Sequence, residues 1–236
     1  RETLVKGFEA GIVVGEGLAA HGRGEAFDYI LGERTTAQAE KAVEAAATAL
    51  LSAERPVISV NGNAVALVPK ELVELAKVTG AKLEVNLFHP SRKREMAIAN
   101  WLRKHGAREV LGVDPRFSTR IREIHSNRRK VDRRGIALAD VVFIPLEDGD
   151  RAEALRRLEK LVIAVDLNPM SRTAHEANIT IVDNIVRALP LMVDNTKSLS
   201  RGTKTELRDI VKDFDNEANI SAALKLMLKR LETLIK

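Results

Sequence analysis

The sequence predicts an α/β fold in which a mostly parallel six-stranded sheet carries helices on both faces. Two observations predict it. Short Val- and Ile-rich segments recur at 57–60, 82–88, 109–113, 141–146, 161–167 and 179–182, and amphipathic helical patterns separate most of them. Strands buried on both faces read as such continuous apolar runs, and alternation with helices brings them into one parallel sheet. A Rossmann-like, doubly wound core follows, with an N-terminal loop and helix extension and C-terminal helices. The chain has 236 residues and no Pro- or Ser-rich linker. One domain is expected, with an extension over 1–54, a core over 55–198 and a helical segment over 199–236.

Taken in order, the elements begin with a helical pattern already under way at position 1, which points to a short preceding segment. Residues 15–36, GEGLAAHGRGEAFDYILGERTT, are Gly-rich and read as a surface loop. The loop holds His21, Arg23, Glu25, Asp28 and Arg34 close enough together to fold over a bound ligand. Thr35 and Gln38 have capping-box spacing and open an Ala-rich helix towards Leu51, which Arg55 and Pro56 stop. After the first strand, Asn61, Gly62 and Asn63 begin a long turn up to Pro69. Pro69 opens a helix that ends at Gly80, and Pro90 with Ser91 opens another that ends near Gly106. Beyond Val182 the strands cease. A capping box at Thr203 and Glu206 precedes a stripe of Leu207, Ile210, Val211 and Phe214. A last helix over about 218–235 carries Leu224, Met227, Leu228, Leu231 and Ile235, and this stripe packs either on the sheet or on a second subunit.

Composition narrows the chemistry. With no Cys, disulfides, thiolate nucleophiles and Cys-ligated metal centres are excluded, leaving oxygen and nitrogen to do the work. No apolar run reaches the ~18 residues a membrane span needs, and the first residues show no export signal, so a cytoplasmic protein without a membrane partner is expected. The formal charge is +5, but aromatic residues are only 3%. Nucleic-acid surfaces interleave cations with stacking rings, so a phosphorylated small substrate is the better match and no nucleic-acid partner is expected.

In open α/β sheets ligands gather beyond the carboxyl ends of the strands. Asn61, Gly62 and Asn63 follow the first strand, where they form either a plain tight turn or a backbone nest for an anion. Ser91 caps a helix whose first turn carries Arg92, Lys93 and Arg94, cations that the helix dipole disfavours unless an anion sits there. Glu147, Asp148 and Asp150 crowd the end of another strand. Asp150 is read as the cap of the following helix, and Asp148 with Asp150 as alternative holders of hydrated magnesium or an ammonium group. Asp166 and Asn168 end the fifth strand, Ser171, Arg172 and Thr173 start a short helix after it, and VDNI at 182–185 ends the sixth strand in the same manner. The acids suit ribose or base hydrogen bonds, and Arg172 suits phosphate. The run from 120 to 134 holds seven Arg or Lys against Glu123 and Asp132, and is either a solvated face or a phosphate-gripping loop. His125 has no second ligand at metal spacing.

Three stretches together, HGRGEAFDYILGERT, ADVVFIPLEDGDRAEAL, and VIAVDLNPMSRTA with ITIVDNIVRALP, resemble the archaeal phosphopantothenate synthetases, the 4-phosphopantoate–β-alanine ligases of coenzyme A synthesis. The likeness runs from Arg1 to about Asp194. It implies a Rossmann-like homodimer that condenses 4-phosphopantoate with β-alanine, using ATP with magnesium carried on it and releasing AMP and diphosphate. It further implies nucleotide contacts at Arg1, Arg23, Asp166, Leu167, Asn168, Arg172, Thr173, Asn184 and Ile185. Under that reading Asn61, Gly62, Asn63, Ser91, Arg92 and Arg94 are the candidates for the substrate phosphate, and His21 and Glu25 for catalysis. Two other readings stand beside it: a nicotinamide- or sugar-nucleotide-dependent enzyme, against which the missing G-x-G-x-x-G fingerprint counts, and a non-catalytic nucleotide- or RNA-binding module.

Overall fold

The computed structural model describes residues 2–200 and 210–235. Five parallel strands form the main sheet: β1 (Pro56–Val60), β2 (Lys82–Val85), β5 (Val141–Pro145), β6 (Leu161–Val165) and β7 (Ile179–Ile181), in the order β2-β1-β5-β6-β7. Counting only these strands, the order is 2-1-3-4-5, a doubly wound sheet whose winding reverses between β1 and β5. Alternate residues serve opposite faces. Ile58, Val60, Phe143, Ile163 and Val165 pack against α3 (Ala37–Ser52), α5 (Pro69–Thr79), α6 (Arg92–Lys104) and α9 (Ile185–Leu199). Val57, Val142, Ile144, Val162 and Ala164 meet Leu155 of α7 (Gly149–Arg157) and Ile136 on the other side.

The expected sixth strand at 109–113 is reduced to one bridge. Leu111 donates to the Leu83 carbonyl at 2.8 Å and accepts from the Val85 amide at 3.0 Å. Gly112 then turns away at φ +81°, and a Cβ there would stand 2.3 Å from the Val85 oxygen. Pairing stops because the backbones touch where only glycine fits. The following excursion holds the Arg-rich run, and part of it folds into a two-stranded antiparallel sheet that its charge pattern hid, β3 (Ser118–Arg120) with β4 (Lys130–Asp132).

Glu84 of β2 anchors this excursion. Its buried carboxylate accepts the Asp132 and Ile136 amides, each at 2.7 Å. Burial pushes the Glu84 carboxyl up to about 7, against the two N–H donors that hold it down. The folded protein therefore takes up this proton more readily than the unfolded chain between pH 4.5 and about 7. Stability contributed by the protonated acid is complete below that window and lost as pH rises through it, on the order of 3 kcal/mol. Glu84→Gln, which lacks the titration, should show its largest deficit against wild type near pH 4.5 and a smaller one near pH 8. Denaturant melts at the two pH values check this, and an equal deficit at both would reject it.

Helix starts follow side-chain caps. Thr36, not Thr35, caps α3 by accepting the Ala39 amide at 3.2 Å, one residue later than the capping-box spacing suggests. Asn61 caps α4 (Gly62–Leu67), so the expected long turn is a helix. Asp148, rather than Asp150, caps α7 through the Arg151 amide at 3.0 Å. The Gly-rich segment is not a loop: α1 (Glu2–Glu9) is followed by α2 (Gly15–Leu31), in helical form despite four glycines. Leu31 packs with Leu167, Val182, Ala223 and Met227, so tertiary contact overrides poor propensity.

The last helix, α10 (Asn216–Leu234), seals the sheet edge. Asn216 accepts the Thr180 amide at 2.8 Å and Asn219 donates to the Thr180 carbonyl at 2.8 Å, which gives β7 the partners a further strand would supply. The expected terminal stripe divides. Met227 faces inward, while Leu228, Leu231 and Ile235 are exposed. Val211 and Phe214 pack on the main core. Arg1, Thr203, Glu206 and Leu207 lie outside the described residues.

Candidate active site

The strand ends at the reversal of the sheet open into two adjoining cavities roofed by α2. The first, about 220 Å³, lies over the ends of β5, β6 and β7. Asp166 follows β6 and is held by the Asn168 amide at 2.9 Å and by the Ser171 hydroxyl, which also caps α8 (Arg172–Glu176). Burial raises its carboxyl pKa, and the two hydrogen bonds and the nearby Arg23 oppose that rise. Asn184 caps α9 and donates to Asp28 of α2 at 2.8 Å. Arg187 bridges Asp28 and Asp183, at 2.5 and 2.6 Å, and Thr35 donates to Asp183 at 2.6 Å. This latch fixes α2, with its His21 and Arg23, over the ends of the sheet.

The second cavity, about 390 Å³, lies over the ends of β1 and β2 and shares Ala20, Arg23, Asn63 and Leu146 with the first. Arg94 reaches it from the first turn of α6. Its Nε donates to the Ile12 carbonyl at 2.8 Å and Nη1 to the His89 carbonyl at 2.9 Å, and burial lowers its pKa. Gly62 is required beneath it, since a Cβ would stand 2.2 Å from the Ile12 oxygen and 2.7 Å from Arg94 Nη2.

Below both cavities sits a buried ionic cluster. Glu147 Oε2 accepts Arg128 Nη1 at 2.7 Å and Arg151 Nη1 at 2.5 Å, and Arg151 Nη2 donates to Ser59 at 3.0 Å. Asp148 stands 3.2 Å from Arg128 Nε. Burial raises the Glu147 pKa, and the two guanidinium groups pull it back. Arg128 belongs to the Arg-rich run, so at least one cation of that run is structural. The Glu147–Arg151 pair was visible as an i,i+4 spacing, whereas Arg128, 19 residues away from Glu147, left no local signal.

The residues expected to act on ligands therefore separate. Around the first cavity stand His21, Arg23, Asp166, Leu167, Asn168, Asn184 and Ile185. Around the second stand Arg23, Asn61, Gly62, Asn63 and Arg94. Glu25 pairs with His21, Oε1 to Nε2 at 3.3 Å. Thr173 is buried and donates to the Glu147 carbonyl at 2.9 Å. Arg172 turns outward to Asp150 at 2.6 Å and Glu153 at 3.1 Å. Ser91 caps α6, Arg92 bonds the Val113 carbonyl, and neither is among the residues lining the two cavities. Asp148 and Asp150 are committed to arginines, and among the described residues no three His, Asp or Glu side chains group as a metal site. Phe27, Leu146, Phe88 and His89 also line the cavities, and the sequence assigned none of them a ligand contact.

Fold and site together define a doubly wound α/β protein with two adjoining cavities at the reversal of its sheet, under an arginine-bearing helix. The profile of the phosphopantothenate/pantothenate synthetase family matches residues 38–230, and the chain belongs to that family. It is 52% identical to the 4-phosphopantoate–β-alanine ligase of Thermococcus kodakarensis, covering 99% of this chain and 89% of that one. The ligase of the same name from Thermococcus onnurineus is 51% identical at the same coverage. That from Methanosarcina mazei is 47% identical, over 99% of this chain and 91% of its own.

Proposed function

We propose that the chain is an ATP-dependent ligase that joins 4-phosphopantoate to β-alanine and releases AMP and diphosphate. Besides the family relationship, one observation carries the site assignment: Arg23 lines both cavities and makes no hydrogen bond or ion pair with any described residue. An uncommitted guanidinium between two compartments suits a reaction in which the anionic ends of two substrates meet.

The first cavity takes the nucleotide, with Asp166, Asn168 and Asn184 placed for ribose and base, and with Leu167 and Ile185 as its apolar lining. The second takes 4-phosphopantoate, its phosphate against Arg94 and the amides around Gly62. The substrate carboxylate attacks the α-phosphorus, the bond to the diphosphate breaks, and an acyl-adenylate forms. The β-alanine amine then attacks the acyl carbon, AMP leaves with the bonding electrons, and the amine gives up a proton. His21, paired with Glu25 at the cavity wall, is the acceptor we assign to that proton. Magnesium travels on the triphosphate. The carboxylates in the nucleotide cavity, Glu147 and Asp166, are engaged by arginines and by Ser171. Catalysis rests chiefly on positioning and on cations offsetting phosphate charge.

We further propose that the enzyme is cytoplasmic and dimeric. No described helix is long and apolar enough to cross a membrane. Leu228, Leu231, Leu234 and Ile235 form an exposed stripe on the terminal helix that a second subunit would cover. The decisive experiment supplies ATP, magnesium, 4-phosphopantoate and β-alanine and identifies the products. AMP with diphosphate is expected. ADP with phosphate would replace the adenylate by an acyl phosphate, and no turnover would remove the ligase reading.

A further inference from the structure

Three non-glycine residues have positive φ: Glu33 at 53°, Leu146 at 56° and Glu159 at 58°. Two have local explanations. Glu33 and Glu159 lie just past the ends of α2 and α7, where their amides bond back to carbonyls of the last helical turn, a common left-handed ending. Leu146 follows a β-strand, where a branched apolar side chain gains nothing from that conformation and bears its strain. It is also a residue that lines both cavities.

The segment around Leu146 is held at successive peptides. Asn61 Nδ2 donates to the Pro145 and Leu146 carbonyls, each at 3.0 Å, and the Leu146 amide donates to the Val165 carbonyl at 3.3 Å. Thr173 holds the Glu147 carbonyl at 2.9 Å, and the Glu147 carboxylate is gripped by Arg128 and Arg151. One polar group in this framed segment is unspent: the Glu147 amide has no acceptor among the described residues, although Glu147 itself lines the nucleotide cavity. Strain survives only where neighbours over-determine a conformation, and here the whole restraint serves to fix one peptide.

We propose that Leu146 is a positioning residue whose left-handed turn aims the Glu147 N–H at the junction of the two cavities. There the amide donates a hydrogen bond to the phosphoryl or carboxylate oxygen that gains charge as the substrates react. The inference rests on the ligase reading for the identity of those oxygens. A donor fixed beforehand needs no reorganisation at the moment of reaction, and misplacing a reacting group by about 1 Å can cost on the order of 100-fold in rate.

The test separates backbone conformation from side-chain packing. Leu146→Ile keeps volume and polarity but is β-branched, which disfavours positive φ. Leu146→Asn loses the apolar side chain but accepts the left-handed region. The turn predicts that Leu146→Ile lowers kcat at least about tenfold while KM for ATP stays within about threefold, and that Leu146→Asn loses at least about threefold less kcat than Leu146→Ile despite its larger change of side chain. Wild-type kcat in Leu146→Ile, or an equal loss in Leu146→Asn, overturns the proposal. Absence of AMP formation by the wild-type enzyme would instead overturn the ligase reading, so the two failures are distinguishable.

Discussion

Replacing Glu147 with leucine should lower the melting temperature by about 10 °C, the largest stability effect expected of a single substitution in this site. The carboxylate is 1% exposed and stands between the guanidinium groups of Arg128 and Arg151, of which Arg151 is fully buried. Its removal leaves two cations in the interior with Asp148 as the remaining nearby carboxylate. Breaking a buried ion pair from one side costs about 3–5 kcal/mol, because the surviving charge cannot return to water. For a chain of this size each kcal/mol corresponds to roughly 2–4 °C. The companion prediction separates this cause from loss of packing. Adding Arg151→Leu to Glu147→Leu removes one orphaned cation and should recover part of the loss, although Arg151 alone would be costly to remove from the wild type. Thermal melts of the two single variants and the double variant form the cycle. A Glu147→Leu protein melting within about 2 °C of wild type would show that the buried ionic cluster contributes little to stability.

How far the sequence disclosed this arrangement follows from the range over which each signal acts. Five of the six apolar segments are strands of the sheet because continuous Val and Ile runs leave no polar face to expose. The polar tips at Asp166, Asn168 and Asn184 were legible for a related reason: in a doubly wound sheet the strand ends supply the site whatever surrounds them. EVLGV looks the same locally, but its fate is decided by how closely Gly112 approaches Val85, a contact made only after folding. The helix α2 was hidden by its glycines, which lower helix propensity by up to about 1 kcal/mol each, while the residues that dock it, Leu31 against Met227 and Asp28 with Arg187, are supplied from more than 150 positions away. Arg128 was indistinguishable from the six other cations of its run, since burial and the contact with Glu147 are properties of the tertiary structure. Arg172 and Arg23 looked alike as phosphate partners, and the structure separates them: one is spent on Asp150 and Glu153, whereas the other makes no hydrogen bond or ion pair with a described residue.

That difference yields the largest functional prediction. Arg23→Ala should lower kcat/KM for ATP by about 10²- to 10³-fold, equivalent to roughly 2.7–4 kcal/mol of lost transition-state stabilisation. Stability should scarcely change, because the side chain is exposed and has no described hydrogen-bond or ion-pair partner to lose. A melting temperature within about 2 °C of wild type would thus accompany a severe kinetic defect, the reverse of the Glu147 pattern. Arg23→Lys should recover only part of the activity, since an ammonium keeps the charge but not the planar fork that can address oxygens of two substrates together. Added guanidinium, which restores a free planar cation to the cavity of Arg23→Ala, should rescue activity more than equal concentrations of ammonium. Steady-state kinetics with 4-phosphopantoate and ATP varied in turn locate the loss. A defect confined to one substrate would place Arg23 in a single cavity, and wild-type kcat/KM for both would remove it from the reaction.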